Sequence, residues 1–288
     1  MGIASGLLGV GGGFLMVPLQ YFLLSSVGVN PDLALRISFG TSLAIIIPTA
    51  ISGAYIHHKK LNNIIKPGIL LGIFGMFGGV LGGIISSYIP GDILTTIFGI
   101  FIIFAAVFIL FANDYSQKFK KIKISNKVGA IFGLFIGFLS GLLGIGGGIF
   151  VIPLLVVLLN YSMREAIGIS TIVISLTAIG GMLSYVLTGW GVSTIPFSFG
   201  YINLVNLCVI AIFSILFANI GAKLVYKIPE HRLKQFFALV MVYIGIKILG
   251  LDLISFILGW FNIWWNYYVT NGFLIFEFFI ILIHLAVR

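Results

Sequence analysis

Residues 6–19 read GLLGVGGGFLMVPL, and residues 141–154 read GLLGIGGGIFVIPL. Every glycine of the first stretch recurs 135 positions later, and so does its proline. A match in register over the whole motif indicates an internal duplication. The chain is therefore expected to contain two copies of one structural unit, each opening with this glycine-rich stretch.

The composition indicates a membrane protein. Of the 288 residues, 60% are hydrophobic and 8% are charged, whereas soluble domains carry roughly 25% charged residues. A helix needs about 20 mainly apolar residues to cross a bilayer. Six clear candidate spans are present, at residues 34–56, 67–89, 93–112, 166–188, 199–222 and 233–250. The sequence thus predicts an all-α polytopic protein whose main partner is the lipid bilayer.

The doubled motif gives the chain a likeness to a known family. Over roughly residues 1–250 the sequence resembles the TauE/SafE sulfite exporter family, whose two halves each open with a GxGGG…P segment. The resemblance implies a secondary transporter of a small sulfur-containing anion, such as sulfite, a sulfonate or a related oxyanion. It also implies a GTS-type stretch after each motif. Gly40-Thr41-Ser42 matches that stretch, and the second repeat departs from it at Ile172-Val173-Ile174.

The basic residues predict the topology. Twelve of the sixteen Lys and Arg residues lie in the stretches 59–66, 118–127 and 223–234, which the positive-inside rule places in the cytoplasm. The second motif segment, 127–160, and two clear spans separate the last two stretches, so the segment must cross an even number of times. We expect it to be a hairpin with two legs of about 17 residues, turning near Gly146–Gly148, because one straight helix would be about 50 Å long.

The loops between the spans predict how the two copies are related. The loop after the second element of repeat 1 is basic and the next, 90–92, is not, whereas in repeat 2 residues 189–198 are uncharged and 223–234 are basic. The order is reversed, which indicates two inverted repeats, each a glycine-rich helical hairpin followed by three transmembrane helices. Motif segments that crossed only once would give parallel repeats instead.

The expected domains follow from this arrangement. They are a first transmembrane repeat at 1–113, a basic cytoplasmic linker at 114–126, a second repeat at 127–250 and an extra, aromatic-rich C-terminal membrane segment at 251–288. The expected location is the cell membrane, with the basic loops cytoplasmic.

The glycine-rich turns are the predicted substrate site. Irregular backbone at membrane depth requires shielding by protein or a water-filled cavity, and glycines let the backbone approach a ligand closely. The leg after each turn begins with unpaired N–H groups at the positive end of a helix dipole, which favours an anion. Alternatively, these glycines serve only close helix packing. The candidate residues, expected where the two turns approach each other, are Gly11, Gly12, Gly13, Gly146, Gly147 and Gly148.

Hydroxyl side chains are expected beside the turns. They lie at the start of the span after each motif, as Ser38, Thr41 and Ser42 and as Ser170 and Thr171. A hydroxyl can donate to an oxyanion without bringing a charge into lipid. The other interpretation is that these hydroxyls bond back to their own helix or across to a neighbour.

Charged groups near the spans are few. Arg36, Arg164 and Glu165 lie near span ends, where such side chains usually reach the interface. His57 and His58 border the first basic loop, and we expect them to be solvated rather than to carry protons.

Other function classes fit the sequence less well. The formal net charge of +9 is explained by the cytoplasmic loops, so nucleic acid is not an expected partner. A Walker motif needs Lys directly after its last glycine, where Phe14 and Ile149 stand. An intramembrane enzyme would use Ser5 or Ser140, but a nucleophile works in an asymmetric setting and these serines are duplicated.

The sequence admits alternatives for the transported ion, the driving force and the oligomeric state. A carrier of another small ion, such as a metal cation, remains the alternative, although no acidic cluster favours it. No cofactor is expected. Transport would be driven by an ion gradient, for which coupling protons are one option, and a homo-oligomer is compatible with the sequence.

Overall fold

The computed structural model of the chain describes residues 2–61, 63–111, 122, 124–191 and 196–248. Within them the chain forms ten α-helices: α1 Gly2–Leu8, α2 Gly13–Ser26, α3 Pro31–Lys60, α4 Ile65–Ser86, α5 Gly91–Phe111, α6 Asn126–Leu143, α7 Gly148–Pro153, α8 Met163–Thr188, α9 Leu204–Leu224 and α10 Glu230–Ile248. A π-helical turn, Leu154–Leu158, continues α7. The strands β1 Ser198–Phe199 and β2 Ile202–Asn203 form an antiparallel pair before α9.

Five of the described helices are long enough to span a membrane. These are α3, α4, α6, α8 and α9, which are long and apolar enough to cross a bilayer. The prediction of an all-α polytopic membrane protein is therefore confirmed. The expected span at 199–222 starts later than predicted, at Leu204, because Gly200 with φ +58° turns the chain between the two short strands.

Both motif segments are broken helices. The first break lies between α1 and α2, and the second lies between α6 and α7. The backbone repeats residue by residue, with φ angles of 63°, 77° and 76° at Gly9, Gly11 and Gly12 and of 65°, 82° and 82° at Gly144, Gly146 and Gly147. Side chains with a Cβ are disfavoured in this left-handed region. The turn geometry therefore explains why the same glycines occur in both copies.

The second motif segment is a hairpin. The contacts of α4 with α8 pair Gly72 with Leu176 and Gly83 with Ser184, and those of α4 with α6 pair Gly75 with Gly133 and Gly83 with Gly141. Residue numbers rise together in both pairs of helices, so α6 and α8 run in the same direction. The segment between them must therefore run back. Its return leg covers Gly148–Leu158, which is shorter than the predicted 17 residues.

The first motif segment also folds back. Gly2 of α1 lies against Ser214 of α9 and Gly6 lies against Ala218. The contacts of α3 with α9 pair Thr41 with Asn203 and Ser52 with Asn219. Both α1 and α3 therefore run parallel to α9, and α2 returns the chain between them.

Matching helices of the two halves run in opposite directions. The contacts between α3 and α8 pair Gly40 with Tyr185 and Gly53 with Thr171, so these helices are antiparallel. They are also the most buried of the five long apolar helices, and both contribute many residues to the main hydrophobic core. The inverted-repeat prediction requires these directions. The placement of the repeats across a bilayer stays a prediction.

Two helix starts differ from the sequence prediction. The helix α3 begins at Pro31 because Asn30 caps it by accepting from the Asp32 amide. The helix α8 begins at Met163, where Ser162 and Glu165 form a capping box. The candidate hydroxyls of both helices therefore lie well inside the helices and not at their starts.

The expectation that His57 is solvated is wrong. Its side chain is fully buried, and Nδ1 lies 2.8 Å from the phenol oxygen of Tyr226 in the turn after α9. Burial raises the pKa of the Tyr226 phenol to about 12, with Arg164 acting in the opposite direction, so the phenol stays protonated at neutral pH. His58 is exposed, as expected.

Two expected segments lie partly or wholly outside the described residues. The linker 114–126 is described only at 122 and 124–126, and none of the C-terminal segment 251–288 is described.

Candidate functional site

The two glycine turns touch each other in a reciprocal way. A Cβ placed on Gly13 would lie 2.8 Å from the carbonyl oxygen of Ile145, and one placed on Gly148 would lie 2.5 Å from the Cα of Val10. Both members of the first pair recur 135 positions away in the second pair. The turns therefore meet where the sequence analysis placed the site, and their backbones come close because neither contact position carries a side chain.

One helix of each repeat, α3 of the first and α8 of the second, packs against both turns. Gly11 lies against Ile46 of α3 and Ile174 of α8, and Gly146 lies against the same two side chains. The four would-be Cβ distances are 3.0 to 3.7 Å, so the apolar packing is tight. The turns are consequently held in a fully buried, apolar environment.

Three hydroxyls donate to carbonyl oxygens of the turns. Ser42 of α3 donates to Gly144 of the second turn, and Ser170 of α8 donates to Gly9 of the first turn. Thr177 donates to the Gly146 carbonyl at 2.8 Å. Each turn is thus fixed by a helix of the opposite repeat, because Ser42 belongs to the first half and Ser170 to the second.

Four of the five predicted hydroxyls already have backbone acceptors. Besides Ser42 and Ser170, Ser38 donates to the Ala34 carbonyl and Thr171 donates to the Gly168 carbonyl, both at 2.7 Å and within their own helices. These are the bonds of the alternative interpretation, in which hydroxyls bond to their own or a neighbouring helix. For these four residues, anion binding stays a prediction and would require the hydroxyl to change its acceptor.

Thr41 differs from the other four. Its buried Oγ1 accepts a hydrogen bond from the Asn203 amide at 2.9 Å. That bond uses a lone pair of the oxygen, and no acceptor for the hydroxyl proton is recorded within the described parts of the chain. Of the five predicted hydroxyls, Thr41 is therefore the one with a proton available for a ligand.

The turns also present backbone donors. The first bonded amides after each turn are those of Leu15 and Phe150, which donate to the carbonyls of Gly12 and Gly147 at 3.0 and 2.9 Å. Among the described residues, no acceptor is recorded for the amides of Gly11–Gly13 or of Gly146–Gly148. Left-handed residues followed directly by a helix form a concavity of N–H groups that suits an anion.

Ser140 places a further hydroxyl at the second turn, one that was not among the predicted binding residues. Its side chain is fully buried, its Oγ has no partner among the residues described, and a Cβ on Gly147 would lie 3.4 Å from that oxygen. The sequence does carry a signal, because Ser5 precedes the first turn at the equivalent position. The duplication of these serines suggested a poor nucleophile, but it is also what a shared role at both turns would require.

The two span-end arginines lie elsewhere. The guanidinium of Arg36 donates to the Ser86 carbonyl at the end of α4 at 2.9 Å, and that of Arg164 donates to the Ile228 carbonyl before α10 at 3.0 Å. Both side chains are half-buried. They satisfy carbonyls that follow or end a helix and make no recorded bond to the turns.

Comparison with known proteins identifies the family. The family model described as Sulfite exporter TauE/SafE matches residues 1–248. The chain belongs to the TauE/SafE family. The resemblance inferred from the doubled motif is thereby confirmed, and with it membership of a family of membrane transporters.

Relatives of this TauE/SafE protein carry general names. A "Probable membrane transporter protein" of Haemophilus influenzae is 34% identical over 260 residues, covering 85% of this chain and 93% of the relative. A protein of Methanocaldococcus jannaschii with a similar description is 32% identical over 250 residues, with 86% and 91% covered. Bacillus subtilis YdhB is 28% identical over 253 residues, with 86% and 96% covered. No solved structure matches the chain.

Proposed function

We propose that this TauE/SafE protein is a secondary transporter of a small sulfur-containing anion, held where its two glycine turns meet. The observation that supports the proposal most strongly is the set of amides at Gly11–Gly13 and Gly146–Gly148 that have no recorded acceptor in the described structure. Buried N–H groups normally have partners. A bound anion would supply the acceptors for both turns at once.

Neutral donors suit a site that must also release its ligand. The turn residues carry no charged side chain, so an anion would be held by backbone N–H groups and by the hydroxyls of Thr41 and Ser140. Hydrogen bonds to a charged group are each worth about 1.5–3 kcal/mol. Several such bonds would bind an oxyanion without a buried counter-charge, whose burial in a membrane is expensive.

The description of the family supports the proposed class of anion. The description of the family names sulfite, and we extend this to sulfonates and related sulfur oxyanions because amide donors recognise the oxygens they share. The anion is moved without chemical change, so the protein would not be an enzyme.

Movement would follow from the antiparallel halves. We place the repeats inverted across the cell membrane, with the basic stretches cytoplasmic, and the two hairpins near its midplane. Rocking of one half against the other would expose the turns to each side alternately. An ion gradient would drive the movement, with protons as the first coupling ion to test, and the protein could work as a homo-oligomer.

Flux into proteoliposomes tests the proposal. Sulfite, sulfoacetate, thiosulfate and chloride would be compared with and without a pH gradient, with protein-free liposomes as the blank. The expected result is saturable flux of at least one sulfur oxyanion that exceeds chloride flux and responds to the gradient if protons are coupled. Equal rates for chloride and all sulfur anions, or no flux above the blank, would contradict the proposal.

A further inference from the structure

Gln20 is a fully buried polar residue whose side chain has no partner. Its exposure is 0%, and neither Nε2 nor Oε1 makes a hydrogen bond within the described structure. A buried amide without partners is costly, since each unmade hydrogen bond to a buried polar group destabilises the fold. Such a group in a native structure calls for an explanation, for which an absent ligand is one candidate.

The position of Gln20 in α2 connects it to the site. Met16, one helical turn earlier on the same face of α2, packs against Ile45 of α3 and Ala211 of α9. Because α2 runs back along α3, Gln20 lies about one turn before Ile45, at the level of Thr41. This register puts Gln20 near the side of α3 that carries Thr41, whose Oγ1 accepts a hydrogen bond from the amide of Asn203, the N-cap residue of α9.

The second repeat shows that the fold does not need an amide here. With the offset of 135 residues that relates the two motifs, the equivalent of Gln20 is Leu155, whose side chain is also fully buried. The return legs of both hairpins therefore bury a side chain at this position, but only the first one buries a polar group. A purely structural role would be met by leucine, as it is in the second half.

We propose that Gln20 is a substrate-binding residue that makes the anion site asymmetric, because only the first repeat supplies an amide side chain at this position. Nε2 donates to an oxygen of the anion, and Oε1 accepts from a hydroxyl group of the substrate or from a water molecule bound with it. The inference rests on the proposed function and narrows the ligand to an oxyanion that presents, alone or with one water, both an acceptor and a donor. Thr41 supplies the neighbouring donor on α3.

Replacement of Gln20 by leucine, the residue at the equivalent position of the second repeat, tests this role. Purified wild type, Gln20→Leu and the matched control Leu155→Met would be melted in detergent over a range of sulfite concentrations. Without sulfite, Gln20→Leu should melt at a higher temperature than wild type, because an unpartnered amide has been removed. With sulfite, its stabilisation should require at least about tenfold more anion, because a hydrogen bond to a charged group has been lost. Leu155→Met should keep the wild-type response to sulfite.

The outcomes separate this inference from the proposed function. A wild-type sulfite response in Gln20→Leu would overturn the role of Gln20 and leave the proposed function standing. A lower melting temperature without sulfite would also overturn it, since the amide would then have a partner within the protein. If wild type responds neither to sulfite nor to sulfoacetate or thiosulfate, the proposed function fails and this inference fails with it. If Gln20→Leu does not fold, Gln20→Met keeps the length of the side chain and carries the same expectations.

Discussion

Ser42 in the first half of the chain donates its hydroxyl proton to the carbonyl of Gly144, the left-handed glycine that opens the second turn. Ser170 makes the corresponding bond from the second half to Gly9 in the first turn. Each bond therefore joins a helix of one half to the turn of the other half. The amides of Gly11–Gly13 and Gly146–Gly148 that follow have no acceptor among the described residues.

Removal of either hydroxyl should destabilise the protein. Ser42→Ala or Ser170→Ala leaves a buried carbonyl without its donor, which is expected to lower the free energy of unfolding by about 1–3 kcal/mol. Ser175→Ala is the matched control, because that hydroxyl donates to Ile172 within its own helix, and should cost less. Thermal unfolding in detergent measures all three. An equal loss of stability in the three variants would contradict a special role for the bonds between halves.

Alanine variants of Gly147 and Gly28 distinguish the effect of backbone strain from the effect of filling the predicted binding site. Both are left-handed, with φ angles of 82° and 86°, but a Cβ on Gly147 would lie 3.1 Å from Ile136 and Ser140, whereas one on Gly28 would meet no described atom within 4 Å. Alanine should cost roughly 1–2 kcal/mol of backbone strain at either position. Only Gly147→Ala should lower anion flux per folded molecule, measured in proteoliposomes after size-exclusion chromatography. Equal flux per folded molecule in the two variants would leave the turn with a packing role alone.

Thr41 and Thr171 distinguish an available hydroxyl from a committed one. Thr41→Val removes a proton that has no recorded acceptor, and if that proton binds the anion, affinity should fall by about 1–3 kcal/mol. Thr171→Val removes a bond within α8 and should leave affinity nearly unchanged. Affinities would be taken from sulfite-dependent thermal shifts. A similar change in both variants would argue against Thr41 as a ligand.

Single-cysteine labelling tests the placement across the membrane. In a Cys208→Ser background, Lys59→Cys and Lys227→Cys should react with an impermeant maleimide from the cytoplasmic side. Tyr88→Cys and Gly191→Cys should react from the other side, and all four residues are exposed in the structure. The labels would be counted in right-side-out and inverted vesicles. If positions 59 and 227 label from opposite sides, the hairpin topology of the halves is wrong in the membrane.

The hairpins, their glycines and most helix spans could be predicted because each depends on a local pattern or on counting charges. The two helix starts that were predicted wrongly, at 34 and 166, do carry a local signal, since Asn30-Pro31-Asp32 and Ser162 with Glu165 are capping sequences. The hydrogen-bond acceptors of the hydroxyl groups could not be predicted, because a sequence shows a donor without its partner. The burial of His57 depends likewise on Tyr226, 169 positions away. Gln20 was missed because a single amide in an apolar leg has no periodic signal.

The bonds that cross between the halves set a condition on synthesis. The Gly9 carbonyl meets its donor, Ser170, only after 161 more residues have been made, which takes roughly 8 to 30 s at 5–20 residues per second. During that time the first turn lacks this hydrogen bond. The nascent first half is therefore expected to depend on the translocon or a chaperone until the eighth helix arrives, and an arrest of translation before that helix should make it a target for membrane proteases.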